Sequence, residues 1–358
     1  MKIAVGMSGG VDSSVAALLL KQQGHDVFGL TMKIWRGNGE PAARKGNACY
    51  GPEEIEDIKL MESLCETLGI EYHVIDCSEQ YERIVLEYFR KEYRSGRTPN
   101  PCIRCNQEIK FGVLPGLAKE AGHYFDKFAT GHYARIGRDD NRKRWLLKRG
   151  ADNRKDQSYF LYRLTQEQLA ATLFPLGDRY KDEVRAIAKE AGLPVHDKEE
   201  SQDFYTGHYG DIVGRENKPG DIVDRQGKVL GKHRGIWHYT VGQRKGLGIA
   251  HSEPLYVLSI DAGKNRIVVG SGHETKSSVF TAIDCSWIAF ERPAGAFTAK
   301  VKIRSATPEA EAIIEPCEND AVNVAFTTPH SAITPGQSAV LYDNDVVLGG
   351  GIIDHIES

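Results

Sequence analysis

The chain has 358 residues, 41% of them hydrophobic and 27% charged, with a net charge of -3. That is enough apolar material for a packed core, which excludes a disordered chain, and the slight negative charge excludes a uniformly basic nucleic-acid binder. No apolar run reaches the length of a membrane helix and the opening MKIAVGMSGG lacks a secretory leader's apolar stretch, so a cytoplasmic protein with no membrane partner is expected.

Lys2–Met7 is a short apolar strand running into glycines. Val11–Gln23 reads as a helix, with Val11, Val15, Leu18 and Leu19 on one face and Gly24 as its stop. Asp26–Ile34 is a second strand. Glu53–Leu68 carries Ile55, Ile58, Met61, Leu64, Cys65 and Leu68 at helical spacing. Tyr72–Cys77 is a third strand, Glu79–Arg94 and Phe111–Ala121 are helices, Phe125–Tyr133 is a strand, and Lys181–Gly192 is the last strong helix. Trp35–Ala48 reads as a loop. Alternating strands and helices imply an α/β fold with a doubly wound, mostly parallel sheet. Beyond about Gly210 the periodicity changes to short strands, such as Leu255–Ile260, Arg266–Val269, Val301–Arg304, Asn323–Thr327 and Ala339–Tyr342. DNDV (Asp343–Val346) reads as a hairpin turn. The expected domains are 1–208, nucleotide-binding and catalytic; 209–272, a small β-rich linking domain; and 273–358, a C-terminal β-barrel.

GMSGGVDSS (Gly6–Ser14) joins the first strand to the first helix. Gly9 and Gly10 let backbone approach an anion, the helix start favours phosphate, and Ser8, Ser13 and Ser14 offer hydroxyls. Asp12 is poorly suited to a phosphate but makes sense near Mg²⁺. The loop lacks the lysine of a Walker motif and is not G-x-G-x-x-G. Its pattern, S-G-G-x-D-S, resembles the pyrophosphatase-type loop of ATP-dependent adenylating enzymes.

Of the seven cysteines only Cys102 and Cys105 form a close pair, in RTPNPCIRCNQEIKF (Arg97–Phe111), and the odd total argues against a disulfide framework. A cysteine just before a helix, with Arg104 and Lys110 at hand, has its thiolate favoured. The pair has three readings: half of a zinc site, part of an iron–sulfur site, or a nucleophile with a resolving thiol. Charge is also uneven. Arg135–Lys155 holds nine Lys and Arg against three Asp, and Arg225–Lys245 holds six and no acid. Such patches can engage phosphates on a mildly acidic protein.

The loop followed by TPNPCIRCNQEIKF resembles the tRNA-specific 2-thiouridylases. The likeness extends through ATGHYAR (Ala129–Arg135), KDQSYFLYRL (Lys155–Leu164), HYTVGQRKGLGI (His238–Ile249), EPLYVLSID (Glu253–Asp261), KIRS (Lys302–Ser305) and PGQSAVLYDNDVVLGGGII (Pro335–Ile353). It implies a sheet of the adenine nucleotide alpha-hydrolase kind, ATP and Mg²⁺ as cofactors, and tRNA with a wobble uridine as substrate. It also implies a sulfur-donor protein or sulfide as partner. ATP would adenylate the uridine O2, and sulfur carried on a cysteine would then displace AMP from C2. The ATP site maps onto Gly6, Met7, Ser8, Gly9, Gly10, Val11, Asp12, Ser13, Met32 and Gly131, and the nucleophile onto Cys105. The target-base segment maps onto Asn100, Pro101 and Cys102, and the remaining tRNA contacts onto His132, Lys155, Asp156, Gln157, Arg304, Ser305 and Gln337.

One position departs from the family. Many members have Asp at the place of Cys102 and a second active cysteine in a segment like SQDICF. Here SQDFYT, fixed by Ser201, Gln202 and Asp203, puts Tyr205 there, and a tyrosine cannot release sulfur. Cys102 and Cys105 could do both jobs, or the pair could hold an iron–sulfur cluster with a third ligand such as Cys49. The chain could also be a tRNA-binding paralogue that does not thiolate, or an ATP enzyme with another substrate.

Overall fold

The computed structural model describes residues 1–37, 48–198, 204–205, 207, 209–214 and 218–357. Most of the expected Trp35–Ala48 loop, and the anchors Ser201, Gln202 and Asp203, lie outside the described residues. Contacts divide the chain into two units. The first comprises Met1–Val85, Cys102–Gly207 and Asp345–Val347; the second comprises Leu86–Pro101, His208–Asn344 and Leu348–Ser358.

The first unit is built on a five-stranded parallel sheet. Its strands are β1 (Lys2–Gly6), β2 (Asp26–Lys33), β3 (Glu71–Asp76), β4 (Lys127–Thr130) and the two-residue strand Thr172–Leu173, in the order β3-β2-β1-β4-(Thr172–Leu173). β1 pairs with β2 on one side and β4 on the other, so the winding direction reverses around β1. Such a reversal opens a crevice at the carboxyl ends of the strands, where open α/β sheets take their ligands. Helices α1 (Val11–Gln22) and α2 (Glu54–Leu68) cover the sheet. Val11, Val15, Met61, Leu64 and Cys65 join Ile3 and Val5 in one buried cluster. Gly24, with φ of +80°, ends α1 as a residue able to adopt the left-handed region.

The structure differs from the sequence reading in two places in this unit. Helix begins at Pro101, not at Phe111, and runs through Glu120, with the stretch Cys105–Val113 wound as a π-helix. Proline is tolerated in a first helical turn because its missing N–H has no acceptor there. Cys105 therefore lies one turn inside the helical run rather than just before it. Second, part of the basic patch is a hairpin, Ala134–Asp139 with Arg144–Arg149, to which Val346 adds a pairing with Lys148. Its charges are matched from elsewhere in the sequence: Arg135 pairs with Asp178 and Asp345, Lys148 with Asp345, and Arg149 with Asp156.

The second unit contains two β assemblies. A four-stranded sheet has the order Tyr256–Asp261, Arg266–Gly270, Gly220–Val223, Val229–His233. Six further strands, Lys276–Trp287, Phe297–Lys302, Ala310–Cys317, Ala321–Ser331, Ser338–Asp343 and Val346–Ile356, close into a barrel through pairing of the first with the last. Inward residues alternate along them, as in Ala310–Cys317, where Ala312 and Ile314 are buried between more exposed neighbours. Asn344, with φ of 52°, makes the turn expected at DNDV.

Candidate active site

The crevice beside β1 is lined by the glycine-rich loop. Gly9 has φ of +79°, and no side chain caps α1 at Gly10, so the first amides of the helix stand unpaired by the helix itself. Ser13 Oγ donates to Gly10 O at 3.2 Å and accepts from Ser8 N at 3.3 Å, which curls the loop around these amides. Ser14 Oγ donates to the same carbonyl at 3.1 Å. Met7 is fixed by Met7 N donating to Leu30 O and Thr31 Oγ1 donating to Met7 O, both 2.9 Å. Met32 lies half-buried near the carboxyl end of β2. These features fit a polyphosphate.

Gly131 follows β4 and closes on the loop. A Cβ there would stand 2.6 Å from the Asp12 carbonyl carbon and 2.7 Å from Ser13 N, both backbone atoms. Only glycine allows this approach. Lys198 pairs with Asp57 at 2.7 Å, and both groups lie against Gly9.

Two residues here carry no local sequence signal. Lys181, 5% exposed in its side chain, places Nζ 2.8 Å from both carboxylate oxygens of Asp12, and Tyr133 donates its hydroxyl to Oδ1 at 2.8 Å. They stand 169 and 121 residues from Asp12, so no spacing pattern could reveal them. Asp12 is thus committed to an internal cation and a phenol, and its carboxylate does not fit the role of a free metal ligand. Among the described residues no group of three His, Cys, Asp or Glu side chains is placed to hold a metal ion. Cys49, Cys102 and Cys105 are thus not placed to hold a preformed iron–sulfur cluster.

The helical run from Pro101, which bears both thiols, packs through Phe111 on the strand that leads to Gly131. Phe111 packs edge-on to Phe128 of β4 at 5.7 Å and lies 5.9 Å from His132, just beyond Gly131. Cys105 is buried, and burial pushes its thiol up to about 12, with Lys110 opposing in part. The sequence reading of a thiolate favoured by a helix N-terminus therefore does not hold for Cys105, since desolvation outweighs the nearby charge. Cys102, in the first turn, is partly exposed. His132 is held neutral: burial lowers its pKa well below the ordinary value, and Thr130 Oγ1 lies 2.7 Å from Nδ1.

Several residues mapped as tRNA contacts are engaged within the protein. In the first unit, the Asp156 side chain is 3% exposed and accepts from Gly150 N, Ser158 N and Ser158 Oγ while pairing with Arg149. Gln157 Oε1 accepts from Tyr133 N at 2.9 Å. Lys155 is half-buried, with its N–H on Asp152 O. In the second unit, Arg304 holds Val241 O, Ala332 O and Thr334 Oγ1, while Ser305 is exposed. Gln337 Nε2 donates to Thr98 O at 2.8 Å, beside Thr98 N donating to Pro335 O at 2.9 Å. Both bonds fix the strap leading to Asn100, which is half-buried, and Pro101, which is buried.

A nucleotide-binding α/β unit of the HUP class followed by small β domains is what the chain matches among family models. A tRNA methyl transferase HUP domain covers residues 1–216, its PRC-barrel domain 212–271, and an aminomethyltransferase beta-barrel domain 277–353. The chain belongs to the tRNA-specific 2-thiouridylase family. It is 50% identical over 99% of both chains to the tRNA-specific 2-thiouridylase MnmA of Endomicrobium trichonymphae. It is 47% identical to that of Acetivibrio thermocellus, over 98% of this chain and 99% of the relative. One from Thermoanaerobacter sp. strain X514 is 48% identical over 99% of this chain and 98% of its own length. No helix among the described residues is long and apolar enough to cross a membrane.

Proposed function

We propose that this protein thiolates C2 of the wobble uridine of tRNA at the expense of ATP, in the cytoplasm, with magnesium carried on the nucleotide. The uridine O2 attacks the α-phosphorus of ATP and pyrophosphate leaves into the loop Gly6–Ser13. Unpaired amides of α1 and the hydroxyls of Ser8 and Ser13 stabilise its charge. Adenylation turns a poor oxygen leaving group into AMP. A persulfide on Cys105, its outer sulfur handed over by a persulfide-bearing donor protein, then attacks C2. The domain limits 1–208, 209–272 and 273–358 remain the working division of labour, with Lys155 and the exposed Ser305 as candidates for tRNA. Asp156, Gln157, Arg304 and Gln337 act by holding neighbouring backbone.

The observation that carries this reading is the packing of the cysteine-bearing helix on the strand that closes the phosphate loop, through Phe111, Phe128, His132 and Gly131. Methyl transfer, the activity in two of the family-model descriptions, calls for neither a pyrophosphate loop nor a thiol-bearing helix packed on the strand that closes it. The test is mass spectrometry of nucleosides from an unmodified tRNA incubated with protein, ATP, Mg²⁺ and a persulfide donor. 2-Thiouridine at the wobble position, with tRNA-dependent ATP–pyrophosphate exchange, is expected. Tight tRNA binding with neither product would instead show a non-thiolating paralogue.

A further inference from the structure

We infer that Cys49 is the second active thiol, the group that takes the bond to Cys105 and releases the thiolated base. This rests on the function proposed above. A cysteine that has delivered its sulfur to carbon remains joined to the product as Cys105 Sγ–S–C2, and another thiol must break that bond. Tyr205 cannot. What the structure puts beside Tyr205 is Cys49.

The two segments are tied together. Tyr50 N donates to Phe204 O at 2.9 Å, and Cys49 Sγ reaches the same carbonyl at 3.9 Å. The ring of Tyr50 stacks on Tyr81 at 5.3 Å with planes 16° apart, and lies 6.2 Å from that of Tyr205. Tyr81 is fully buried, and Cys105, Cys49 and Cys102 all lie near enough to act on its hydroxyl. Three sulfurs from two places in the sequence, the Cys102–Cys105 turn and Cys49, thus lie near one tyrosine hydroxyl. Cys49 and Cys77 also act directly on Cys105.

Accessibility selects among them. Cys77 has no exposed surface, so a reductant could not reach a disulfide formed between it and the likewise buried Cys105. Cys102 belongs to the turn that the family resemblance assigns to the target base. An attacking sulfur must approach Cys105 from opposite the bond that breaks. Cys49 is exposed and comes from the Tyr50–Tyr81 side.

The step balances as follows. The outer sulfur of a Cys105 persulfide attacks C2 and the C2–O bond breaks, expelling AMP. The Cys49 thiolate, having lost its proton to water, attacks Cys105 Sγ. The S–S bond breaks with its electron pair going to the outer sulfur, which leaves as 2-thiouridine. Two electrons pass from the two thiols to the transferred sulfur, and a Cys49–Cys105 disulfide remains. A dithiol reductant reopens it and a persulfide donor reloads Cys105.

Persulfide-loaded enzyme would be mixed with ATP, Mg²⁺ and a tRNA transcript for one turnover, quenched with N-ethylmaleimide and peptide-mapped. A Cys49–Cys105 crosslink in step with 2-thiouridine is expected in the wild type and in Cys102→Ser. Cys49→Ser, a change at an exposed site, is expected to lose release and accumulate a covalent Cys105–tRNA adduct. A Cys102–Cys105 crosslink in the wild type, or undiminished thiolation by Cys49→Ser, overturns the inference while leaving the proposed function intact. A wild type that yields neither 2-thiouridine nor adduct overturns both.

Discussion

Lys181 offers a quantitative test of how the phosphate loop is charged. Its ammonium lies 2.8 Å from both oxygens of Asp12, which is itself 27% exposed and also held by Tyr133. Replacing Lys181 by Met leaves a carboxylate facing the incoming pyrophosphate with no cation behind it. Two unit charges about 4 Å apart interact by about 4 kcal/mol at the dielectric typical near a protein surface. Partial exposure of Asp12 and the surviving Tyr133 bond reduce this to about 2 kcal/mol, or about 30-fold in affinity. Titration calorimetry with ATP would measure it, beside the double variant Lys181→Met/Asp12→Asn, in which the stranded charge is gone. That variant is expected to recover most of the loss. If it binds no better than Lys181→Met alone, Lys181 does not act by neutralising Asp12 and the reasoning fails.

Gly131→Ala drives a Cβ into backbone at Asp12 and Ser13, and is expected to cost about 3 kcal/mol in urea denaturation, with loss of ATP binding; an unchanged midpoint would show that the loop yields. Cys65, Cys77 and Cys105 are each raised by burial from 9.0 to about 12. The unfolded chain therefore releases these protons first, and stability present below pH 9 is lost as pH rises toward 12, by about 1.4 kcal/mol per unit for each thiol. A urea midpoint under reducing conditions that stays flat from pH 8.5 to 10.5 would contradict this. Gln337→Ala is expected to lower thiolation turnover while tRNA affinity in filter binding stays unchanged, because the amide holds Thr98 rather than RNA; a matching loss of affinity would show direct contact.

The parallel sheet and its phosphate loop were legible because they are local. Val11–Gln22 announces itself by spacing and by Gly24, and the loop by six residues in a row. What escaped detection was set by partners distant in sequence. Lys181 looks like any first residue of an amphipathic helix until the fold points its ammonium at Asp12. The charges of Arg135–Arg149 read as a nucleic-acid patch because Asp178 and Asp345, which balance them, come from far along the chain. The apolar spacing put the start of this helix at Phe111, whereas Pro101 opens it, so burial rather than a helix terminus governs Cys105. Cys49 carried no motif at all; only the pairing of Tyr50 with Phe204 gives it meaning.

The seam between the two compact units falls between Pro101 and Cys102, inside a single turn of helix. The residues just upstream are fastened to chain that comes much later: Arg97 to Asp354 and Ile353 O, Arg90 and Arg94 to the carbonyls of Ile212 and Val213, and Thr98 to Pro335 and Gln337. Gly336, with φ of +92°, lets that last contact close, since a Cβ there would stand 2.8 Å from Thr98 N. A gene cut after residue 208 would therefore not liberate an independent catalytic module. It would leave the residues that lead into the cysteine helix without the partners that hold them, Pro335 and Gln337 for Thr98, the latter 239 residues away.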